Sequence, residues 1–514
     1  MTATNIQVRV SAPTAARARL LACGLILALL AACSSPQVRR GEDVAKIAAS
    51  LSPNYHTQIF QLASTGLPIA SVIGEDGDLW VVTEFGDSLH HVSTDPVIKI
   101  ERLTVPMEAE AKQWPFLERH GWRTPLSHSE RIVKDNQGRV WFPQIGSWLN
   151  SYSTRDVINH SRIVSYDPRN QQFCVYPVPD SNAAVMGVAW DEARNLVWFT
   201  QSGNNALVSF NPDKLRDCKI YNQYRWAFDS KKELIYPFPV QYCNGSDDTN
   251  CFRKFLLPYK GKSLLNQLAV QQPGQPDAGA IWVTEFVGGH IGRFDITTGT
   301  YSRFPIDLDR AEYEAMGLHA GFYHRTHQIM VHPQNGDLVF STNGTGQVFR
   351  FDIQHYLGNP NECMKLYRNE YNPCMHPIQV TAPKGSKGRN TTHSLSFDRF
   401  YNLWVSTWVD NCDFNTPPPS IGFIEPEWRK LIFFDNLKIT PQEKETIIGS
   451  SNKDSDTGEC DQNGRPPRAF KGISVDQANN VWVANFFKRQ IYKLNYTAGP
   501  NHNPYQLLCG ENCQ

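Results

Sequence analysis

Apolar and polar positions alternate along this chain in short runs, each introduced by a turn rich in Gly, Asn or Asp. Asp76-Gly77-Asp78-Leu79-Trp80 leads into VVTEF, and Asn136-Gln137-Gly138-Arg139-Val140-Trp141 into FPQ. Asn195-Leu196-Val197-Trp198 leads into FTQ, and Gly279-Ala280-Ile281-Trp282 into VTEF. Asn335-Gly336-Asp337-Leu338-Val339 leads into FSTN, Asn402-Leu403-Trp404 into VST, and Asn480-Val481-Trp482 into VAN. A turn followed by a β-branched or aromatic run of period two is the second half of a hairpin. Seven copies make a repeat.

A short strand precedes each turn, as in His393-Ser394-Leu395-Ser396-Phe397-Asp398. An Asp stands six residues before the Trp in Asp135/Trp141, Asp398/Trp404 and Asp476/Trp482, so the hairpin register repeats. A third and a fourth strand follow, clearest in HIGRFD (His290–Asp295) and TGTYSRFP (Thr298–Pro305). Seven units of four short antiparallel strands predict an all-β fold, a seven-bladed β-propeller. The stretch His56–Leu62 reads as an orphan outer strand that would complete the last blade and close the ring.

The chain has 514 residues. Compact blades of about 42 residues each leave nearly 190 for insertions, linkers and tails. The largest insertions fall near 106–126, 221–263, 354–390 and 437–468. Segments of that length in a compact fold are commonly functional lids or disordered.

Residues 1–32 stand apart from the propeller at 56–514. Arg9, Arg17 and Arg19 precede the apolar run Leu20–Ala32, which is too short to span a bilayer and ends in Leu30-Ala31-Ala32-Cys33. This pattern resembles a bacterial lipobox, which implies lipidation of Cys33, a tether over 33–55 and, with Ser34 next, the outer membrane. The other reading is an ordinary secretion signal; either way the protein is exported. Lys+Arg and Asp+Glu both total 50, and removal of the signal leaves the mature chain mildly acidic. Nothing there attracts nucleic acid, and a monomer is expected.

Export suits the ten cysteines that remain beyond Cys23 and Cys33. Close spacing pairs Cys243 with Cys251, Cys363 with Cys374 and Cys509 with Cys513; Cys174–Cys218 and Cys412–Cys460 complete a set whose connectivity spacing alone does not fix. No CxxC occurs, so disulfides are favoured over zinc knuckles.

In a propeller the start of each innermost strand and the end of the second share one face. The first ring of positions holds Glu130, Met186, Asn266, His327, His393 and Lys471, with Ile69 or Ala70 in the first blade. The second holds Glu84, Gln144, Gln201, Glu285, Asn343 and Asn485, with Trp408 near the sixth position. Such rings bind a ligand in a polar funnel or simply line water. His327 and His393 occupy equivalent positions in consecutive blades, so their side chains should meet. Glu285, ending the neighbouring strand, is expected to orient His327, and the group would then move protons near neutral pH. His332 should lie at the far end of its strand, outside this group.

The string IWVTEFVGGHIGRFDITTGTYSRFPI (Ile281–Ile306), with weaker copies around Trp198, Trp404 and Trp482, resembles the blade repeat of the virginiamycin B (streptogramin) lyase family. The resemblance implies a seven-bladed propeller that opens a cyclic depsipeptide at its ester bond by elimination, assisted by magnesium. His327 and His393 match the family's histidines, the second as general acid/base. The family's carboxylates fall on Thr391 and Trp408, with Asp410 nearby, so the metal ligands are not matched. Two classes of function follow. One is an exported lyase or hydrolase acting on a lactone or ester, with His393 as acid/base, His327 as electrophilic partner and Glu285 or Glu84 assisting. The other is a non-catalytic propeller that binds a peptide, glycan or envelope protein.

Overall fold

The computed structural model describes residues 45–504 except 49–54, 106–126, 146–160, 222–240, 307–324, 381–389, 410–420, 435–446, 449–469 and several shorter segments. By its internal contacts the chain divides into residues 1–43 and 44–514, and the first unit lies outside the described residues. The lipobox and Cys33 are therefore outside them too.

Seven antiparallel sheets account for the seven turn motifs. Blade 1 is Leu67–Ile73, Leu79–Glu84, Ser88–Ser93 and Lys99–Thr104. Blade 2 shares its innermost place between Ser127–His128 and Val133–Lys134, followed by Val140–Ile145, Arg162–Asp167 and Gln172–Pro177. Blade 3 is Val185–Asp191, Leu196–Gln201, Ala206–Phe210 and Arg253–Leu256, and blade 4 is Leu265–Val270, Ile281–Glu285, His290–Asp295 and Thr300–Pro305. Blade 5 is Arg325–Val331, Leu338–Asn343, Gln347–Phe351 and Met375–Gln379, with helices Ile353–Gly358 and Pro360–Cys363 before its last strand. Blade 6 is Asn390–Phe397, Leu403–Val409, Ile421–Ile424 and Lys430–Phe434. Blade 7 is Phe470–Val475, Val481–Asn485 and Gln490–Tyr496, and its fourth strand is Tyr55–Gln61. That N-terminal strand runs in register from Tyr55 opposite Tyr496 to Gln61 opposite Gln490. Outside blade 6, Ala45–Ala48 adds a parallel strand beside Lys430–Phe433.

The six-residue spacing has a physical cause. Asp135 accepts the indole N–H of Trp141 at 2.9 Å, Asp398 that of Trp404 at 3.2 Å and Asp476 that of Trp482 at 3.1 Å. The other oxygen of each Asp accepts two backbone N–H groups of its own turn. One carboxylate thus holds the turn and locks the ring between blades. Asp191 does the same for Trp198 at 3.2 Å, one residue further away. Gly138 takes φ +78° in this turn, where an L side chain would be strained. Blade 4 lacks the clamp: Gln271 stands in its place and the Trp282 indole N–H has no acceptor among the described residues. In blade 5 the position is held by His332, as far from the first ring as expected.

Two of the expected insertions carry blade strands. Arg253–Leu256 and Met375–Gln379 are the fourth strands of blades 3 and 5, so 211–252 and 352–374 interrupt those blades, and Lys219–Tyr221 within the first adds an outer strand to blade 2. Both interruptions are stapled, by Cys243–Cys251 and Cys363–Cys374, with Cα atoms 5.1 and 5.6 Å apart. Cys174 is also disulfide-bonded. Cys218, Cys412, Cys460, Cys509 and Cys513 lie outside the described residues.

Candidate functional site

The innermost strands of six blades are irregular at one equivalent point. Ladder pairing slips between Pro68 and Ala70, Val185 and Val188, Leu265 and Leu268, Thr326 and Ile329, Thr392 and Leu395, and Phe470 and Ile473. A bulge unpairs a residue and re-aims its side chain. The bulges hold Ile69, Met186, Asn266, His327, His393 and Lys471, which is the first ring read from the sequence, and they select Ile69 over Ala70. Glu130 lies outside the described residues.

A row of hydroxyls on the second strands fixes these bulges from blade to blade. Thr200 Oγ1 accepts the Gly187 N–H at 2.8 Å and donates to the Asn266 carbonyl of the next blade at 2.7 Å. Thr284 Oγ1 accepts from Gln267 at 2.9 Å and donates to the His327 carbonyl at 2.6 Å. Ser341 Oγ links Gln328 to His393, and Ser406 Oγ links Ser394 to Lys471. Asn266, His327, His393 and Lys471 therefore each have their carbonyl bound by the blade before. The sequence carried the signal, a Ser or Thr two places after each Trp-equivalent position, in the FTQ, VTEF, FSTN and VST runs.

The relay brings the two histidines together. Their ring centroids lie 4.6 Å apart at 46°, and both residues are buried, with exposures of 2% and 0%. His393 Nδ1 lies 3.1 Å from the Lys471 carbonyl. Nδ1 is also 3.1 Å from the Ser394 hydroxyl; a carbonyl only accepts, so in the tautomer that donates from Nδ1 to Lys471 the lone pair stands on Nε2. Lys471 Nζ lies 3.7 Å from Glu84 Oε2 and 3.9 Å from the centroid of the Phe486 ring. Phe286 sits against the His327 ring at 6.3 Å. Asn266, in the blade before His327, buries an Oδ1 with no hydrogen-bond donor among the described residues. Blades 4 to 7 and blade 1 thus assemble one arc: an acceptor, two imidazoles, an ammonium and a carboxylate.

The second ring needs correction. Counting from the Trp-equivalent residue, Gln144, Gln201, Glu285 and Asn485 stand three places on, whereas Glu84, Asn343 and Trp408 stand four. Pairing places Thr83, Thr342 and Thr407 level with the first four, opposite Pro68, Thr326 and Thr392. A one-residue slip reverses the face of a strand. The true set, from Thr83 to Asn485, is fully buried rather than lining a wet channel. Gln201, for example, donates to Tyr242 Oη at 2.7 Å, and that hydroxyl donates to Asp180 at 2.6 Å. Burial and the Asp180 bond raise the Tyr242 phenol well above its ordinary pKa.

Glu285 does not orient His327. Its carboxylate accepts both arms of Arg303 and, at 2.8 Å, the Tyr301 hydroxyl, all within its own blade. Successive side chains on a strand point to opposite faces. Thr284 faces the His327 blade, so Glu285 faces away from it. Glu84, misplaced in the ring count, is nevertheless the carboxylate that reaches the site, through Lys471.

No family model and no curated protein matches the chain by sequence. Among solved structures, a streptogramin B lyase matches over 86% of this chain and 98% of its own, at 16% identity and a TM-score of 0.50. The virginiamycin B lyase from Staphylococcus aureus matches over 86% and 99%, at 15% identity and the same TM-score. A catalytically inactive form of that enzyme with quinupristin matches equally. The fold is that of the streptogramin B lyases. Against that lyase fold, the magnesium implied by sequence resemblance finds a poor ligand set here. Mg²⁺ is held by oxygen, usually including a carboxylate. Among the described residues, the two glutamates near the arc, Glu84 and Glu285, are already engaged by Lys471 and Arg303. Among the described residues no group of three metal-ligating side chains forms in the arc.

Proposed function

We propose that this protein is an exported, lipid-anchored propeller lyase that opens an ester or lactone bond by elimination, its substrate a cyclic or small molecule that also carries amide groups. The observation that carries this reading is the His327–His393 pair, 4.6 Å apart at equivalent bulges of consecutive blades. His393 Nε2 takes the proton on the carbon that links the ester oxygen's carbon to a carbonyl. The C–O bond breaks, its electron pair leaves with the carboxylate, and an alkene remains. His327 donates to the carbonyl oxygen while charge builds there, and the Lys471 ammonium receives the departing carboxylate. Asn266 Oδ1 accepts a substrate amide N–H. The chain supplies this positive charge from Lys471, and no step is routed through a metal.

His393→Ala tests it. Turnover of a depsipeptide lactone should fall by at least a hundredfold, with the melting transition still cooperative. Retained turnover would sink the assignment. The product should have the mass of the substrate; one heavier by a water would mean hydrolysis. The burial of both imidazoles, 2% and 0% exposed, favours a second reading in which the arc is packing and the funnel face binds an envelope peptide or glycan. In that case ligand affinity survives His393→Ala.

A further inference from the structure

Three large apolar side chains are exposed in the stapled interruption of blade 5: Leu357 at 47%, Met364 at 38% and Leu366 at 66%. They flank a firm base. Asp352 caps helix Ile353–Gly358 through the His355 N–H at 2.8 Å, Ile353 and Tyr356 are buried under the helix, and Cys363–Cys374 ties the segment to the blade. The apolar tips therefore stand out on a rigid knob, with exposed Lys365 between two of them. An exposed apolar group on a firm support marks an interaction surface.

Pairing shows which side of the ring this is. Phe351 pairs with Met375 at one end of the blade and Gln347 with Gln379 at the other, level with the histidine arc. The knob joins Phe351 to Met375, so it lies on the face opposite the arc. The N-terminal strand enters on that same face, in the next blade. Ala45 pairs with Lys430, beside the Ile424–Leu431 end, and Ala48 with Phe433, toward the arc side. Cys33 stands twelve residues before Ala45, a reach of at most about 40 Å for extended chain. A lipid on Cys33 would hold the knob's face at the bilayer. Apolar tips interleaved with lysine suit the headgroup boundary of an anionic leaflet.

We infer that the face opposite the histidine arc rests on the lipid surface, with Leu357, Met364 and Leu366 at headgroup depth, and that the funnel opens away from the membrane. This rests on the lipid anchor proposed above. Leu256, 73% exposed and paired with Ala206 at the arc end of blade 3, marks the opposite face. The test is hydroxyl-radical footprinting of the lipidated protein on phosphatidylethanolamine–phosphatidylglycerol vesicles, compared with the same protein released by proteolysis upstream of Ala45. Oxidation of Met364 and Leu366 should slow about fivefold on the vesicles, with Leu256 unchanged. Protection of Leu256 instead, or of neither face, overturns the proposal. The mass of the N-terminal peptide reads lipidation separately. If Cys33 carries no lipid, the anchor reading fails and the face is judged alone, by sedimentation of the released propeller with those vesicles. Binding that Leu357→Asp with Leu366→Asp abolishes supports the inference; no binding, or binding these leave unchanged, overturns it.

Discussion

The carbonyl of His327 is held by Thr284 Oγ1 at 2.6 Å, from the blade before it, and that same hydroxyl accepts the N–H of Gln267. The imidazole is therefore placed by its neighbour rather than by its own sheet. Thr284→Val keeps the shape and removes both bonds, leaving a buried N–H and a buried carbonyl unpaired. Urea denaturation should show a loss of roughly 1–3 kcal/mol. Turnover should fall with little change in KM, and Thr284→Ser should restore both. Full turnover in the valine variant would show that the relay is structural only.

Asp398 accepts four hydrogen bonds, from the Phe400 and Asn402 N–H groups, the Asn402 side chain and the Trp404 indole. Asp398→Ala should cost at least about 3 kcal/mol, since several buried donors lose their acceptor together. Gln271→Ala should cost less by the same denaturation assay, about 1–2 kcal/mol, because it removes a single side-chain bond, from Gln271 Nε2 to the Gly336 carbonyl at 2.7 Å, and no acceptor of the Trp282 indole among the described residues.

His332 gives a pH signature. Its Nδ1 accepts the Gln334 and Asn335 N–H groups at 3.2 and 3.4 Å, so the fold needs that nitrogen unprotonated. Burial first, and then Arg350, push its pKa from 6.5 down to about 4. Between those values the unfolded chain binds the extra proton. The contribution is thus complete above pH 6.5 and lost as pH falls toward 4, on the order of 2 kcal/mol. Melting temperatures at pH 7 and pH 4.5 should differ more for the native chain than for His332→Asn, which keeps a neutral acceptor.

Lys471 and Glu84 form the charged end of the arc, 3.7 Å apart. If Lys471 supplies the positive charge, removing divalent cations with EDTA should leave turnover within about twofold, whereas Lys471→Met should lower kcat by at least tenfold. A collapse in EDTA, reversed by added Mg²⁺, would return the charge to a metal.

The blade count, the closing strand and the six bulged positions from Ile69 to Lys471 were legible in the sequence. Each rests on a local pattern: a Trp after a turn, a six-residue Asp spacing that a single carboxylate enforces, or alternation in HTQIFQL. What failed depended on contacts between blades. The Glu84, Asn343 and Trp408 positions lie one residue past their ring, because the runs end differently and period two turns one place into the wrong face. Glu285 was assigned to His327 by proximity along a strand, but Thr284 already occupies that face and Arg303 claims the carboxylate. The fourth strands Arg253–Leu256 and Met375–Gln379 were hidden because they lack alternation and follow long interruptions.

The clasp between Tyr55–Gln61 and Gln490–Tyr496 also sets an order of events in time. The chain is made from its N-terminus, so the closing strand emerges first and its partner almost last. Blades 1 to 6 can stack as they arrive, since their four main strands follow one another in sequence. Throughout that interval Tyr55–Gln61 must wait with its edge unpaired, a hazard for association with other chains. Closure then requires a contact between nearly opposite ends of the polypeptide, the slowest kind to find. A chain interrupted before Gln490 would keep its blades and its histidines but have no means of shutting the ring.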